Sequence, residues 1–456
     1  MRILGPLDFL LFPLFALFFI FLLNRVRQRY ANTPLWEHFN RGLRLRLLGA
    51  FLSGLMYQYY YGYGDTFFYF TGASDILKGF LSDPMTGLEM IFKDYDTWSP
   101  QAKHHVTFHR FFMNDSEAAV IHIAGFFNLF SFGSYFGISL WLTMFSFVGC
   151  WLLFRVFYEI YPHLHRQLAM AILYLPSLWF WGTGVMKDPL TLGGLGIFVY
   201  GMYHLFIQPR RVLLCLVFVV VGAWLMANIK VYILVAIMPA SVVWIFAMYK
   251  NKIKNPTLRT LSTPIFLFGG IVGALLAFQV LGKYFQKYAS LDKILHEAHK
   301  TQWWLEVSTE RDGGTGYTLG QIDPSPTGLL KTFPLAVNVT LFRPYPWEAR
   351  KPIVIPSAIE ALFSFLFTLY VFFQTGLRHI LPAIFKDPVV LFCLIFSLIF
   401  AFAVGFTSFN FGALARYRIP CLPFYFTMLV ILLDKARQAK AARSTASNRG
   451  QVALTE

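Results

Sequence analysis

Apolar runs of about 16 to 22 residues recur along the whole chain, parted by short polar connectors, and each is long enough to cross a hydrocarbon layer as a helix at about 1.5 Å per residue. The pattern predicts eleven membrane-spanning helices, at 6–24, 43–61, 135–155, 167–182, 189–207, 212–228, 231–249, 262–281, 356–375, 387–405 and 418–433. A shorter run, AAVIHIAGFFNLFSF at 118–132, is followed at once by Gly133 and predicts a re-entrant or interfacial helix. After Asp65, the residues Phe67, Phe70, Ile76, Leu77 and Phe80 recur at near-helical spacing while Asp75 and Lys78 face away, the pattern of an amphipathic helix in the membrane surface. No internal repeat suggests a transporter with inverted halves.

Composition agrees with the pattern. Hydrophobic residues make up 57% of the 456 and charged residues 14%, roughly half the charged share of a soluble domain, which excludes a soluble fold and leaves an all-α polytopic membrane protein. The net charge of +16 is informative through its placement. The connector with Arg25, Arg27, Arg29, Arg41, Arg44 and Arg46 holds only Glu37 in opposition, so the positive-inside rule puts it in the cytoplasm and the N-terminus outside. With eleven spans, the whole excess then falls on the cytoplasmic side, C-terminus included, which is an orientation signal in an inner (cytoplasmic) membrane and excludes a nucleic-acid patch. The first span has its charge after the apolar run and no small-residue cleavage site, so it reads as a retained anchor. Cys150, Cys215, Cys393 and Cys421 lie in or beside spans and indicate neither disulfides nor a zinc site. The resulting plan is an anchor and basic connector (1–42), a membrane core (43–282) carrying a catalytic outer loop (62–117), a second outer loop (283–355), C-terminal spans (356–435) and a polar, disordered cytoplasmic tail (436–456).

Candidate chemistry collects on the outer side. Asp65 stands just outside a span, where an ionisable residue serves a function at the edge of the hydrocarbon or caps the following helix. In PSLWFWGTGVMKDPL, Pro176, Gly182 and Gly184 break a span and leave Lys187 and Asp188 at the interface, where Lys187 meets a lipid phosphate, pairs with Asp188 or reaches the headgroups. In NVTLFRPYPWEARKP, prolines and aromatic residues surround Arg343 and Glu348, and the upstream RDGGTGYTLG (311–320) is a lid or a plain linker. Arg416 and Arg418 precede the last span on the side where positive-inside disfavours them, and their guanidinium forks suit phosphate oxygens. His104, His105, His109 and His122 with Asp94 and Asp96 form only a weak metal pattern, and HEAH at 296–299 lacks zinc-protease spacing.

The arrangement resembles the GT-C superfamily of polytopic glycosyltransferases that use lipid-phosphate sugars. The likeness lies in Asp65, Tyr69 and Ala73 of GDTFFYFTGA after an early span, in the interfacial helices that follow and in the KD turn at 187–188; FRPYPWE and NFGALARYRIP resemble motifs of bacterial membrane proteins of this broad type. It implies a polyprenyl-phosphate sugar donor, a glycan, lipid or protein acceptor, surrounding membrane lipids and no nucleic acid. It also implies Asp65 as base, with Lys187, Arg343, Arg416 and Arg418 on the phosphate and Tyr69, Asp188, Glu348, His105 and His109 in support. An extra N-terminal span departs from the family, as does a single Asp where many members have an acidic pair, and the latter puts a divalent metal ion in question. The alternatives are an O-antigen polymerase or ligase acting on lipid-diphosphate glycans, a transporter without chemistry and a structural role in a membrane assembly.

Overall fold

The structure, a computed structural model, describes residues 2–250, 303, 307, 316–320 and 325–452; the expected span 262–281, the HEAH segment and residues 311–315 lie outside them. It is 83% helical, with no strand among the described residues. The chain forms two compact units, Met1–Leu234 and Val235–Glu456. Six helices are long and apolar enough to cross a membrane, or seven if one pair bent by 67° is a single span.

In the first unit, α1 (Pro6–Gln28) is followed by α2 (Leu35–Leu55), which runs on as a π-helical turn to Tyr61 and stops at Gly62, whose φ of 67° suits glycine. Then come α3 (Asp65–Ser82), α4 (Pro84–Phe92) with Asp83 as its cap, the short α5 (Pro100–His104) and α6 (His109–Phe112), and α7 (Asp115–Asn128). The longer α8 (Tyr135–Ile160) starts at the cap Ser134. Helices α9 (His165–Ala169) and α10 (Pro176–Trp181) are separated by a π-helical turn and by Leu175, held extended at ψ 128° ahead of Pro176. Last are α11 (Lys187–Met202) and α12 (Val212–Lys250), which passes into the second unit.

Where the expected spans differ from the helices, local chemistry gives the reason. The segment 167–182 is broken by Leu175–Pro176. The two expected spans 212–228 and 231–249 are one helical stretch interrupted only at Lys230, with φ −145° and ψ 76°. The arginines of α2 dilute its apolar character, and Arg46, expected in the basic connector, is buried inside the bundle, donating to Ser146 Oγ (3.0 Å), Gly182 O (2.8 Å) and Cys150 Sγ (2.9 Å). Asp75, expected to face away, is buried and accepts from Thr107 N (2.7 Å) and Thr107 Oγ1 (3.0 Å), which ties α3 to the 105–108 turn.

Two further groups of polar contacts in this unit stand at opposite ends of its long helices. One gathers Tyr30, Arg155, Glu159, His204 and Arg210, with His38 bridging Tyr174 (2.7 Å) and His165 (2.9 Å). The other gathers Asp8, Thr66, Glu117, Lys187 and Lys230 with their partners. At that second end the Asp8 carboxylate accepts from Ser134 Oγ (2.7 Å) and from Phe136 N (3.3 Å), pinning the start of α1 to the start of α8. Since Glu117 opens α7 and Ser134 follows it, both ends of α7 belong to the same end of the bundle; its fourteen residues lie across that end and do not traverse.

The second unit holds α13 (Pro326–Phe342), α14 (Ile355–Thr375), α15 (Leu377–Lys386), α16 (Pro388–Thr407), α17 (Phe411–Tyr417) and α18 (Leu422–Val452). The region 283–355, expected as loop, therefore contains an apolar helix: α13 lies against α16, with Thr340 Oγ1 donating to Ala401 O at 2.7 Å. Lys331 and Pro334 interrupt its apolar run and hide it in the sequence. The polar tail from 436, expected to be disordered, continues α18 as helix to Val452, in keeping with its alanines, lysines and arginines, and Lys440 Nζ reaches Gln374 Oε1 (2.6 Å).

Helices α8 and α11 meet backbone to backbone. A Cβ at Gly149 would lie 2.3 Å from Gly193 O, and one at Gly196 would lie 2.0 Å from Gly149 O. Small residues permit this approach, and in lipid such close packing is a main source of helix association. Gly196→Leu is therefore expected to lower stability by on the order of 3 kcal/mol, whereas Leu10→Ala, at a position 64% exposed, should stay within about 0.5 kcal/mol. Thermal unfolding of both variants in one detergent checks the pair, and equal midpoints would refute the packing argument.

Candidate functional site

In the first unit the residues that matter stand at the end that holds Lys187. Gly64, at φ 127°, is the cap residue of α3, so Asp65 is the first helical residue, and it is exposed. Thr66 beside it is buried, and its Oγ1 lies 3.0 Å from the Tyr135 hydroxyl. That same hydroxyl is bonded to the backbone of Val185. Gly184 N donates to Thr143 Oγ1 (3.3 Å) and Thr183 Oγ1 to Ser53 Oγ (3.4 Å), which fixes the turn leading into α11. Tyr135 thus joins the first turn of α3, which carries Asp65, to the turn that carries Lys187.

Lys187 does not pair with Asp188. Its Nζ donates to Glu117 Oε1 and Ser116 Oγ, both at 2.9 Å, with side chains about one-fifth exposed. Asp188 is buried and bound at 2.6 Å to Lys230, the residue at which α12 breaks. Tyr69 is buried in the apolar core with Phe67 and Ile76. His105 lies 3.0 Å from Ser82 Oγ at the far end of α3, on the order of 25 Å along the helix from Asp65. His109 bonds the Tyr95 hydroxyl at 2.6 Å. Neither histidine joins Asp65. Among the described residues no three His, Cys, Asp or Glu side chains converge as a metal site would require.

The second unit holds a separate constellation. The Arg343 guanidinium grips the Glu348 carboxylate with Nε at 3.1 and 3.0 Å and Nη2 closer still, and it lies over the rings of Phe411 (5.2 Å), Tyr317 (5.6 Å) and Tyr345 (5.9 Å). Arg418, expected to face a phosphate, is turned inward instead: 1% exposed, it donates to Arg343 O (2.9 Å), to Ser357 O and Oγ (3.1 Å) and to Glu360 Oε1 (3.4 Å). It clamps the Arg343 strap onto the first turn of α14. Arg416 is half-buried, two residues earlier. Thr340 bonds Ala401, six residues before α16 ends, so the strap after α13 is recessed roughly 9 Å inside that helix end.

Tyr317 was not among the residues singled out, yet it locks the site. Its N donates to Phe409 O (3.1 Å) and its hydroxyl to Gly405 O (2.9 Å), so this part of the glycine-rich segment is anchored. Glu117, Tyr135, Lys230 and Glu360 were missed as well. Only Lys230 left a signal, as a charge in the middle of a 39-residue apolar helix whose other charge, Lys250, stands at its end.

Burial pushes the Glu348 carboxyl up, but the Arg343 guanidinium and the Tyr345 N–H outweigh it and hold the group below the ordinary 4.5. A carboxyl depressed in the folded state adds stability that is full above pH 4.5 and is lost as pH falls through the folded value. Glu348→Gln should therefore lower the unfolding temperature at pH 7 and flatten its decline below pH 4.5; identical melting-versus-pH curves for parent and variant would refute this.

No protein-family model, no curated protein and no solved structure matches the chain.

Proposed function

We propose that the chain is a GT-C-like membrane glycosyltransferase of the cytoplasmic membrane that moves a sugar from a polyprenyl-phosphate donor to an acceptor hydroxyl on the outer face. The observation that carries the reading is the Tyr135 tie, which sets Asp65 and the Lys187 turn at one end of the same helical frame. The charge pattern supports an outward orientation for that end, because the opposite end carries the basic connectors, with the N-terminus outside and the C-terminus in the cytoplasm. End-to-end runs of α2 and of the broken α9–α10 segment, and a division of α12 at Lys230, support a total near the eleven spans of the sequence pattern.

In this mechanism the acceptor oxygen attacks the anomeric carbon and the donor phosphate departs with the electrons of its bond to that carbon, so the configuration inverts. Asp65 takes the acceptor proton. Lys187, held by Glu117, neutralises the departing phosphate. In the second unit Arg416 and Arg343 are the cations proposed for a lipid phosphate, Arg343 by sharing its guanidinium with Glu348 and Arg418 by holding the Arg343 strap.

Asp65→Asn should cut transfer by roughly 10²- to 10⁴-fold while thermal unfolding and donor binding stay at parental values; parental turnover in purified Asp65→Asn would remove the base assignment. Arg416→Ala should weaken binding of polyprenyl phosphate by about tenfold, read by titration of the purified full chain, and undiminished affinity would remove its phosphate role. Transfer solely from a lipid-diphosphate oligosaccharide would replace the proposal with a polymerase or ligase.

A further inference from the structure

A cleft of about 730 Å³ opens at the same end of the first unit, between the 91–96 segment, α7 and the first part of α12. It is walled off from Lys187 by α7. Asp115, Ala118, His122 and Phe126 face the cleft at helical spacing, while Glu117, which holds Lys187, lies on the opposite side of the helix.

The cleft is divided by chemistry. Its polar part contains the carboxylates of Asp94, Asp96 and Asp115, all exposed, with Lys93 as the single cation of the lining. His122 completes this wall; its Nε2 is sealed from solvent and has no hydrogen-bond partner. The other part is apolar and open to the surroundings, with Phe92 72%, Met113 64%, Trp224 52% and Phe126 40% exposed. An aromatic face attracts an ammonium, and the protein makes such a contact nearby, where Lys103 Nζ lies 5.3 Å over the Tyr95 ring. Excess negative charge beside aromatic rings disfavours a phosphate monoester and suits an ammonium, while an exposed apolar flank suits a hydrocarbon chain.

We propose that this cleft binds an amphiphile with an ammonium head, the nitrogen seated among Asp94, Asp96, Asp115 and Trp224, and the chain lying along Phe92, Met113 and Phe126. A zwitterionic head also fits, its phosphate meeting Lys93, which shares its ammonium with Glu89 (3.4 Å). The site is separate from the Asp65 region, and its standing does not depend on the transferase reading. The ammonium comes either from a membrane lipid or from a free amine.

The test uses the purified full chain equilibrated with equal phosphatidylethanolamine and phosphatidylglycerol, with retained lipid counted by native mass spectrometry. Retention should favour phosphatidylethanolamine by about tenfold, and the combined Asp94→Asn, Asp96→Asn, Asp115→Asn variant should lose that preference while unfolding at the parental temperature. A parallel titration follows tryptophan fluorescence with free ethanolamine, with Trp224→Phe as the reference. A response that the triple variant and Trp224→Phe both lack, without any lipid preference, supports ammonium recognition and assigns the source to a soluble amine. Equal retention of the two lipids with no response to ethanolamine overturns the proposal, and so does a triple variant that binds like the parent.

Discussion

A charge placed inside an apolar helical bundle is tolerated only when a partner meets it, because desolvation costs several kcal/mol per ion. Much of this architecture answers that constraint. Lys230 finds Asp188 at 2.6 Å where α12 loses helical geometry. Arg418 finds Glu360, the first turn of α14 and the Arg343 carbonyl. Arg46 has a hydroxyl, a carbonyl and a thiol as its hydrogen-bond acceptors. Each of these groups joins elements far apart in the chain, so a demand of electrostatics becomes a rule for which helices must be neighbours.

The same constraint separates two kinds of cation. Arg418 and Lys230 are enclosed by their partners, and removing either acid would leave a stranded charge. Lys187 and Arg343 sit nearer the surface, with their acids about one-fifth exposed. An anion that competes for these two need not open the core, whereas one that competes for Arg418 must.

The all-helical, membrane-embedded class was readable because period and length of apolar runs depend on local sequence alone. Boundaries were less so. Leu175–Pro176 breaks a run whose composition promised continuity, and Lys331 with Pro334 conceals a helix that packs well against α16. Asp65, Lys187, Arg343 and Arg418 were visible as isolated residues of the right type. Their partners were not: Glu117 lies 70 residues from Lys187 and Glu360 lies 58 from Arg418, and nothing in local sequence encodes a pairing at that range. Asp75 was assigned to solvent by helical phase, yet the 105–108 turn folds over it and supplies the donors that let it be buried.

The glycine contact between α8 and α11 has a mechanical consequence. Two helices whose main chains touch at Gly149, Gly193 and Gly196 have no layer of side chains between them to absorb sliding. Lys187 opens α11 and Tyr135 opens α8, so the height of the ammonium above the Tyr135 hydroxyl is set as firmly as two marks on one ruler. Any widening at this end must then come from displacement of elements such as the crosswise α7 or α3, with the α8–α11 pair as the fixed jaw.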